Sequence, residues 1–196
     1  MKLLLGLLFC LLSGCSLLPS LRAPVAPVVP HYPLLAPATF GGSYAAQHLL
    51  EGHAQGHDFT LQLQVEIEPE HIVLVGFTPW QTRAFVLRYD GTTVTFENFT
   101  LREMPFPPER MLSDLQLVLW PHFPDLSDWH VTRDPQTHER LVSFQDQLIT
   151  RIRYQGAPLM PSVVELENIV VGYRLRIQIR EAEDRTGESE TGRIGE

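Results

Sequence analysis

Apolar and polar side chains alternate along most of the chain between residues 40 and 180. In the stretch DFTLQLQVEIE, residues 58–68, every second side chain is apolar and the side chains between them are mostly polar. Successive side chains of a strand point to opposite faces, so this pattern predicts a half-buried antiparallel strand. Similar patterns predict about nine strands with short connections, in the further stretches HIVLVGFT, TRAFVLRYDGTTVTFENFT, WHVTRDPQTHERLVSFQ, LITRIRYQ, SVVELENIVV and YRLRIQIR.

One segment has a different period. In PPERMLSDLQLVLWP, residues 107–121, apolar side chains recur at spacings of three and four, which predicts an amphipathic helix. Pro107 and Pro108 suit its first turn, Glu109 favours its positive end, and Pro121 stops it. Strands on both sides of a single helix predict a mainly β fold, either a meander or an open barrel. Asp90-Gly91 predicts a type I′ hairpin turn within the strands.

The first residues have the features of a secretory signal. Lys2 supplies a positive charge, and residues 3–12 form an apolar run that is shorter than the roughly 20 residues a membrane-spanning helix needs. This segment is therefore excluded from the fold. The sequence Leu-Ser-Gly-Cys at residues 12–15 is similar to the bacterial lipobox, in which signal cleavage leaves the cysteine as the first residue.

The lipobox resemblance implies that Cys15 carries a membrane anchor. It implies removal of residues 1–14 as a lipoprotein signal peptide, together with Cys10, so that no disulfide forms in the mature chain. Cys15 would be acylated on its sulfur and its amino group, for example with palmitate, and several acyl chains make a stable anchor. Ser16, at the position where an aspartate marks retention in the inner membrane, implies export to the outer membrane. The alternative is an ordinary signal peptide that contains Cys15.

Composition changes sharply on both sides of the predicted strands. Prolines recur every three to five residues from Ser16 to Thr39, and proline fixes φ and lacks a donor. Residues 15–39 are therefore predicted to be the acylated cysteine and a proline-rich tether. Residues 40–180 would form the folded domain. Residues 181–196 are rich in acids, glycine and serine, which predicts a disordered acidic tail.

The overall composition excludes several classes of function. Hydrophobic residues make up 44% of the chain and charged residues 19%, as expected of a globular protein. The net charge of −8 argues against a nucleic-acid partner, which would require a basic patch. The sequence has no nucleophile elbow, zinc-protease motif, phosphate loop or dinucleotide fingerprint, and so predicts neither an enzyme nor a cofactor.

The combination of an acylated cysteine, a proline tether, a strand meander and one amphipathic helix resembles a known group of proteins. The helix end LVLWP and the late strands LENIVVGYRLRIQI carry this resemblance. The chain resembles the outer-membrane lipoprotein receptor and the periplasmic carrier of the Lol sorting pathway. It is also similar to a family of small uncharacterised Gram-negative outer-membrane lipoproteins that are often encoded beside aryl-polyene and fatty-acid-like biosynthesis genes. The resemblance implies a half-open antiparallel β-barrel whose concave face holds acyl chains under helical cover.

The apolar faces identify the residues that would line such a cavity. A single short helix is little cover for about nine strands, so the sheet either closes and fills with side chains or stays open around an apolar cavity. In the open form Met111, Leu115 and Val118 would form the lid, and Trp80 would guard the opening or cap the end of the barrel. The predicted ligand-binding residues on the strands are Phe59, Leu61, Leu63, Phe85, Leu87, Phe96 and Phe144.

Two further groups of residues have the types found in metal or catalytic sites. His53 and His57 lie four residues apart, but a zinc site needs at least three ligands, so we predict an exposed loop or edge strand. The stretch WPHFPDLSDWH would bring together His122, Asp125, Asp128 and His130, but its prolines and turn-forming aspartates indicate a loop without a metal. Its aromatic residues would contact lipid or ligand, or pack inside the loop.

The sequence therefore predicts a non-enzymatic lipoprotein on the periplasmic face of the outer membrane. Cys15 would hold it on the membrane, and its cavity would bind acyl or polyene lipid, or the acyl chains of lipoproteins, for transport or display. Its partners would be the membrane, this lipid and the lipoprotein-sorting machinery. The alternatives are a scaffold lipoprotein that docks a protein partner and, less favoured, a hydrolase that uses residues 122–130.

Overall fold

The computed structural model describes residues 30–101, 104–124, 126–157 and 160–181, except for the side chains of residues 157, 160 and 181. The predicted signal peptide, Cys15, residues 16–29 of the tether and residues 182–196 of the acidic tail lie outside these ranges. In the described part of the chain no helix has the length and apolar character that a membrane crossing requires.

Ten antiparallel strands form one sheet. They are β1 (Tyr44–Ala54), β2 (His57–Glu68), β3 (His71–Phe77), β4 (Arg83–Tyr89), β5 (Val94–Asn98), β6 (Trp129–Asp134), β7 (Glu139–Phe144), β8 (Gln147–Ala157), β9 (Met160–Asn168) and β10 (Tyr173–Glu181). Their order across the sheet is β5-β4-β3-β2-β1-β10-β9-β8-β7-β6. Two five-strand meanders are thus joined where the first strand pairs with the last.

The sheet does not close on itself. Strands β5 and β6 are its two edges, and the only α-helix in the described residues, α1 (Pro108–Leu119), lies in the connection between them. A short 3-10 helix, Pro37–Phe40, precedes β1. This arrangement confirms the prediction of a mainly β, half-open antiparallel fold with one amphipathic helix. The helix has the predicted bounds, with a proline in its first turn and Glu109 near its positive end.

Strand β1 is the element that the sequence pattern did not predict. Its sequence, YAAQHLLEGHA, turns Ala46, His48, Leu50 and Ala54 to the buried side. Alanine is too small to give a clear apolar signal, and a buried histidine interrupts it. The strand nevertheless lies at the centre of the sheet, in register with both β2 and β10.

A type I′ hairpin turn is present between β1 and β2 and not at the predicted position. Gln55 and Gly56, between β1 and β2, both have positive φ (53° and 79°), as a type I′ turn requires. The prediction of this turn at Asp90-Gly91 is wrong, because Gly91 alone has positive φ there. Instead, the Asp90 carboxylate accepts the backbone N–H groups of Thr92 and Thr93 at 2.8 and 2.7 Å, in a longer loop.

Residues 30–40, most of which were predicted to belong to the tether, pack against the folded domain. Tyr32 is only 2% exposed and donates its hydroxyl to the carbonyl of Pro124. The Gln116 side chain exchanges two hydrogen bonds with the backbone of Leu35, at 2.9 and 2.7 Å. The buried Trp120 indole donates to Thr39 Oγ1 at 2.8 Å. These contacts hold the segment against α1 and the loop that follows it.

The C-terminal end of α1 is held by a buried arginine on β7. Pro121 has no N–H with which to bond the carbonyl of Leu117, and Arg140 donates to that carbonyl instead. Arg140 also donates to the carbonyl of Trp120 at 2.9 Å, while the Tyr154 hydroxyl bonds the carbonyl of Val118 at 3.1 Å. Burial lowers the pKa of Arg140, although the group remains a cation.

Candidate functional site

An apolar cavity of about 450 Å³ lies between the concave face of the sheet and α1. Strands β10, β1, β2, β3 and β4 form its floor and walls, and residues 104–106 and α1 cover it. Small-molecule pockets typically measure about 300–1,000 Å³ and are lined mainly by apolar side chains. The mouth lies beside the exposed residues Gln55, His57 and Asp58, at the turn between β1 and β2.

Most of the predicted ligand-binding residues lie around this cavity. Its lining includes the strand residues Phe59, Leu61, Leu63 and Phe85 and the helix residues Met111, Leu115 and Val118. The lining also includes residues of β1 and β10 that were not predicted, namely His48, Leu50, Ala54, Leu175 and Ile177. The alternation in YRLRIQIR marked the two β10 residues as buried, but nothing in the sequence showed that β10 lies beside β1.

The other four predicted residues lie outside the lining. Leu87 is fully buried farther along β4, and Phe96 packs on Phe85 with 5.7 Å between ring centroids. Phe144 packs on Trp129 at 4.8 Å in the other half of the sheet. Trp80 is 84% exposed on the loop between β3 and β4, so it neither lines the cavity nor covers it.

At two glycines on the concave side of the sheet, an aromatic ring from the next strand occupies the space where a side chain would lie. A Cβ atom at Gly52 would lie 2.2 Å from the ring of Phe59, and one at Gly76 would lie 2.3 Å from the ring of Phe85. Both pairs are direct cross-strand partners. A larger side chain at either position would therefore displace a ring that lines the cavity.

A carboxyl group forms part of the helical wall of the cavity. Asp114 Oδ2 accepts a hydrogen bond from the Tyr173 hydroxyl at 2.5 Å. Burial raises the pKa of Asp114 to about 7, while the Tyr173 hydrogen bond and the charge of Arg110 lower it. Burial and the adjacent carboxyl group raise the pKa of Tyr173. Near neutral pH the wall thus presents a carboxyl group that is partly protonated.

An imidazole forms part of the floor. His48 is almost fully buried, and its Nε2 shares a hydrogen bond of 2.8 Å with the Tyr44 hydroxyl. Burial lowers the pKa of His48 to about 4 and raises the pKa of Tyr44 to about 12. Both groups are therefore neutral at pH 7, so they add polarity but no charge to the cavity.

These two groups give opposite pH dependences to the stability of the fold. Below pH 6.5 the unfolded chain protonates His48 and the folded chain does not until about pH 4, so stability falls with pH. Between pH 7 and 3.8 the folded chain keeps the Asp114 proton that the unfolded chain has released, so stability rises as pH falls. The contribution of His48 amounts to about 3 kcal/mol and that of Asp114 to about 4 kcal/mol.

We therefore expect Asp114→Asn to lose stability as pH falls from 6.5 to 4, whereas His48→Gln gains stability over the same range. The unmodified chain should show a flatter curve than either variant, because its two contributions oppose each other. Urea unfolding across this pH range measures all three curves. Parallel curves for the two variants would contradict the assignment of these groups.

A larger groove of about 680 Å³ crosses the outer face of the sheet, but its charges are already paired. Glu165 and Arg176 are 3.2 Å apart, and Glu167 and Arg174 are 3.0 Å apart, so these arginines of β10 pair with glutamates of β9. The pairing continues across neighbouring strands through Arg153–Glu139 at 2.7 Å and Arg151–Glu167 at 3.8 Å. Charges neutralised in this way offer less to a ligand than the concave cavity does.

The other predicted groups lie apart from the cavity or at its mouth. His53 and His57 lie on paired strands, where His53 Nδ1 is 2.7 Å from Asp58 Oδ1. His122, Asp128 and His130 are exposed, and Asp125 lies outside the described residues. The aromatic residues of this loop are packed inside, since Trp120 and Trp129 are buried and Tyr32 contacts Phe123 and Trp129 edge-on. In the described ranges no group of three potential metal ligands is present.

A protein-family model matches most of the folded domain. Residues 45–181 match the family described as a protein of unknown function (DUF3261). No curated protein matches the chain.

Two solved structures have a similar course of the chain over most of its length. One is a Vibrio parahaemolyticus domain proposed to be an outer membrane lipoprotein-sorting protein, with 8% identity, a TM-score of 0.43 and coverage of 76% of this chain and 88% of that one. The other is a DUF1329 family protein from Desulfovibrio piger, with 10% identity, a TM-score of 0.35 and coverage of 72% and 86%.

Proposed function

We propose that this chain, which belongs to the DUF3261 family through a match over residues 45–181, binds an apolar lipid chain in the cavity under α1. The observation that carries the proposal is the space itself. Instead of filling the concave face with side chains, the fold leaves about 450 Å³ between helix and sheet. The family description states no function, so the proposal depends on this geometry.

The lining favours a long apolar ligand. Aliphatic and aromatic side chains cover most of it, and each methylene group that moves from water into such a site contributes about 0.8 kcal/mol. His48 and Asp114 are the polar groups on the inside and would bond a hydroxyl, ester or amide along the ligand. Acyl and polyene chains both fit this description.

The proposed location of the protein is the cell envelope. Acylation of Cys15 would hold the domain at a membrane, Ser16 would direct it to the outer membrane, and the lipoprotein-sorting machinery would deliver it. The domain would then take up or display lipid at the periplasmic face without chemical conversion. This part of the proposal rests on the sequence of the first 16 residues.

Displacement of a fluorescent probe tests the proposal. A chain that begins at Ser16 lacks the predicted signal and anchor but keeps every residue that the structure describes. We expect it to bind a fluorescent fatty acid or a fluorescent polyene with a stoichiometry of one, and to release it when an unlabelled long-chain alcohol is added. A folded chain that takes up neither probe would contradict the proposal.

A further inference from the structure

The large apolar side chains that the described residues expose are confined to one end of the sheet. They are between 37% and 107% exposed and form two groups, Trp80, Phe99 and Leu101 in one and Ile169, Val170 and Val171 in the other. We call these six residues the apolar rim. Solvent-facing apolar groups of this size usually mark an interaction surface.

Strand pairing places both groups at the same end. The end of β1 at Ala54 pairs with the start of β2, and His53 pairs with Arg174 near the start of β10, which follows the turn containing residues 169–171. The loop between β3 and β4, which contains Trp80, lies at the same end of the sheet. Phe99 follows β5 and bonds the carbonyl of Ala84 at 2.9 Å, so it also lies there.

The mouth of the cavity opens at this end. Thr78 and Thr100 line the cavity, and they are the close sequence neighbours of Trp80, Phe99 and Leu101. The polar residues His57 and Asp58 lie between the two groups of the rim, beside the mouth. At the opposite end of the sheet the connections contain Glu70, Asp90 and Gln136, and none of the exposed large apolar side chains of the described residues lies there.

The described chain also begins at the rim end. Pro30 lines a small internal space together with Asn168, whose side chain and carbonyl bond the N–H groups of Val171 and Gly172 at 2.8 and 2.9 Å. The segment that precedes Pro30 therefore joins the domain on this side. Fourteen residues separate Cys15 from Pro30, which allows a reach of at most about 50 Å.

We propose that the apolar rim docks on the surface of a lipid bilayer and places the cavity mouth against it. Three separate observations meet at this end of the sheet: the exposed apolar side chains, the opening of the cavity and the start of the described chain. Tryptophan favours the boundary between water and lipid. Arg83, whose guanidinium lies 5.5 Å from the ring centroid of Phe99, would lie at the level of the lipid phosphates. The inference adds to the proposed function but does not depend on which ligand enters the cavity.

Tryptophan emission tests the docking directly in the full, acylated chain. The chain has three tryptophans, of which Trp80 is exposed and Trp120 and Trp129 are buried. The chain is reconstituted into vesicles of phosphatidylethanolamine and phosphatidylglycerol that contain phosphatidylcholine brominated on its acyl chains. We expect the bromines to quench Trp80 emission, and we expect the quenching to be lost in Trp80→Phe. Trp80→Phe combined with Glu70→Trp restores a third tryptophan at the opposite end, where bromines should not quench it.

Vesicle sedimentation of the chain that begins at Ser16 measures membrane binding by the rim alone, because this chain lacks the predicted acylated cysteine. The double variant Trp80→Ser with Leu101→Ser should bind about tenfold or more weakly, because two large apolar side chains no longer enter the lipid. Leu49→Ser on the outer face should leave binding unchanged, and a variant with a filled cavity, Leu61→Trp, should still sediment. Unquenched Trp80, equal quenching from position 70, or rim variants that sediment like the unmodified chain would each overturn the proposal. If Trp80 stays unquenched and the rim variants no longer bind a specific protein that the unmodified chain binds, the rim is a docking site for that protein instead.

Discussion

Replacing Leu61 by tryptophan should abolish binding of an acyl probe while leaving the chain folded. Leu61 lies on β2, directly opposite Leu50 on β1, and its half-buried side chain faces the cavity. An indole at this position would extend into space that the ligand occupies. Because the cavity accommodates the added atoms, we expect a destabilisation no larger than the roughly 1–3 kcal/mol typical of overpacked cores.

The matched control is Leu49→Trp, one strand away and on the opposite face. Leu49 pairs with Gln62 and points to the outer side of the sheet, away from the cavity. Probe titration and urea unfolding are measured on both variants. We expect loss of probe binding in Leu61→Trp alone, with both variants folded. Full binding in a folded Leu61→Trp chain would place the ligand elsewhere.

Replacing Arg140 by methionine should lower the free energy of unfolding by about 3 kcal/mol, since hydrogen bonds from a charged group contribute about 1.5–3 kcal/mol each. Methionine keeps the unbranched shape but cannot donate to the carbonyls of Leu117 and Trp120. Those carbonyls would then stay buried without their donor at the end of α1. Because α1 covers the cavity, the loss should also weaken probe binding.

Urea unfolding measures this effect, with Arg88→Met as the control. Arg88 is exposed on β4, and substitutions at such surface positions usually change stability by less than about 0.5 kcal/mol. Arg140→Lys should recover part of the stability, because an ammonium group can reach one carbonyl but not both in the geometry of the guanidinium. Equal stabilities of Arg140→Met and Arg88→Met would show that the helix end does not depend on this arginine.

The strands and the helix could be predicted because their signals are local. A period of two along residues 58–68 and spacings of three and four along residues 107–121 arise from the geometry of a strand and a helix, whatever the rest of the chain does. Strand β1 escaped prediction because its buried positions hold Ala46, His48 and Ala54, which carry little or no apolar signal.

The site was predictable only in part because it depends on contacts between distant segments. Alternation marked Leu61 and Leu87 alike as buried, yet only Leu61 faces the space under α1 and Leu87 packs in the core. The choice between a filled and an open sheet likewise depends on where α1 lies. Arg140 and Tyr32 looked like an ordinary charged strand residue and a tether residue, and their roles follow from bonds to residues 20 or more positions away.

The most direct test of the central claim is to identify what the cavity holds in the cell. The unmodified chain and Leu61→Trp are each purified from a Gram-negative host without detergent, as chains that begin at Ser16 and are exported by an ordinary cleavable signal. Their bound molecules are extracted and weighed by mass spectrometry. The account predicts an acyl or polyene lipid in near-equal molar amount with the unmodified chain and its loss from Leu61→Trp. A folded, unmodified chain that carries no lipid, or the same lipid content in both chains, would contradict it.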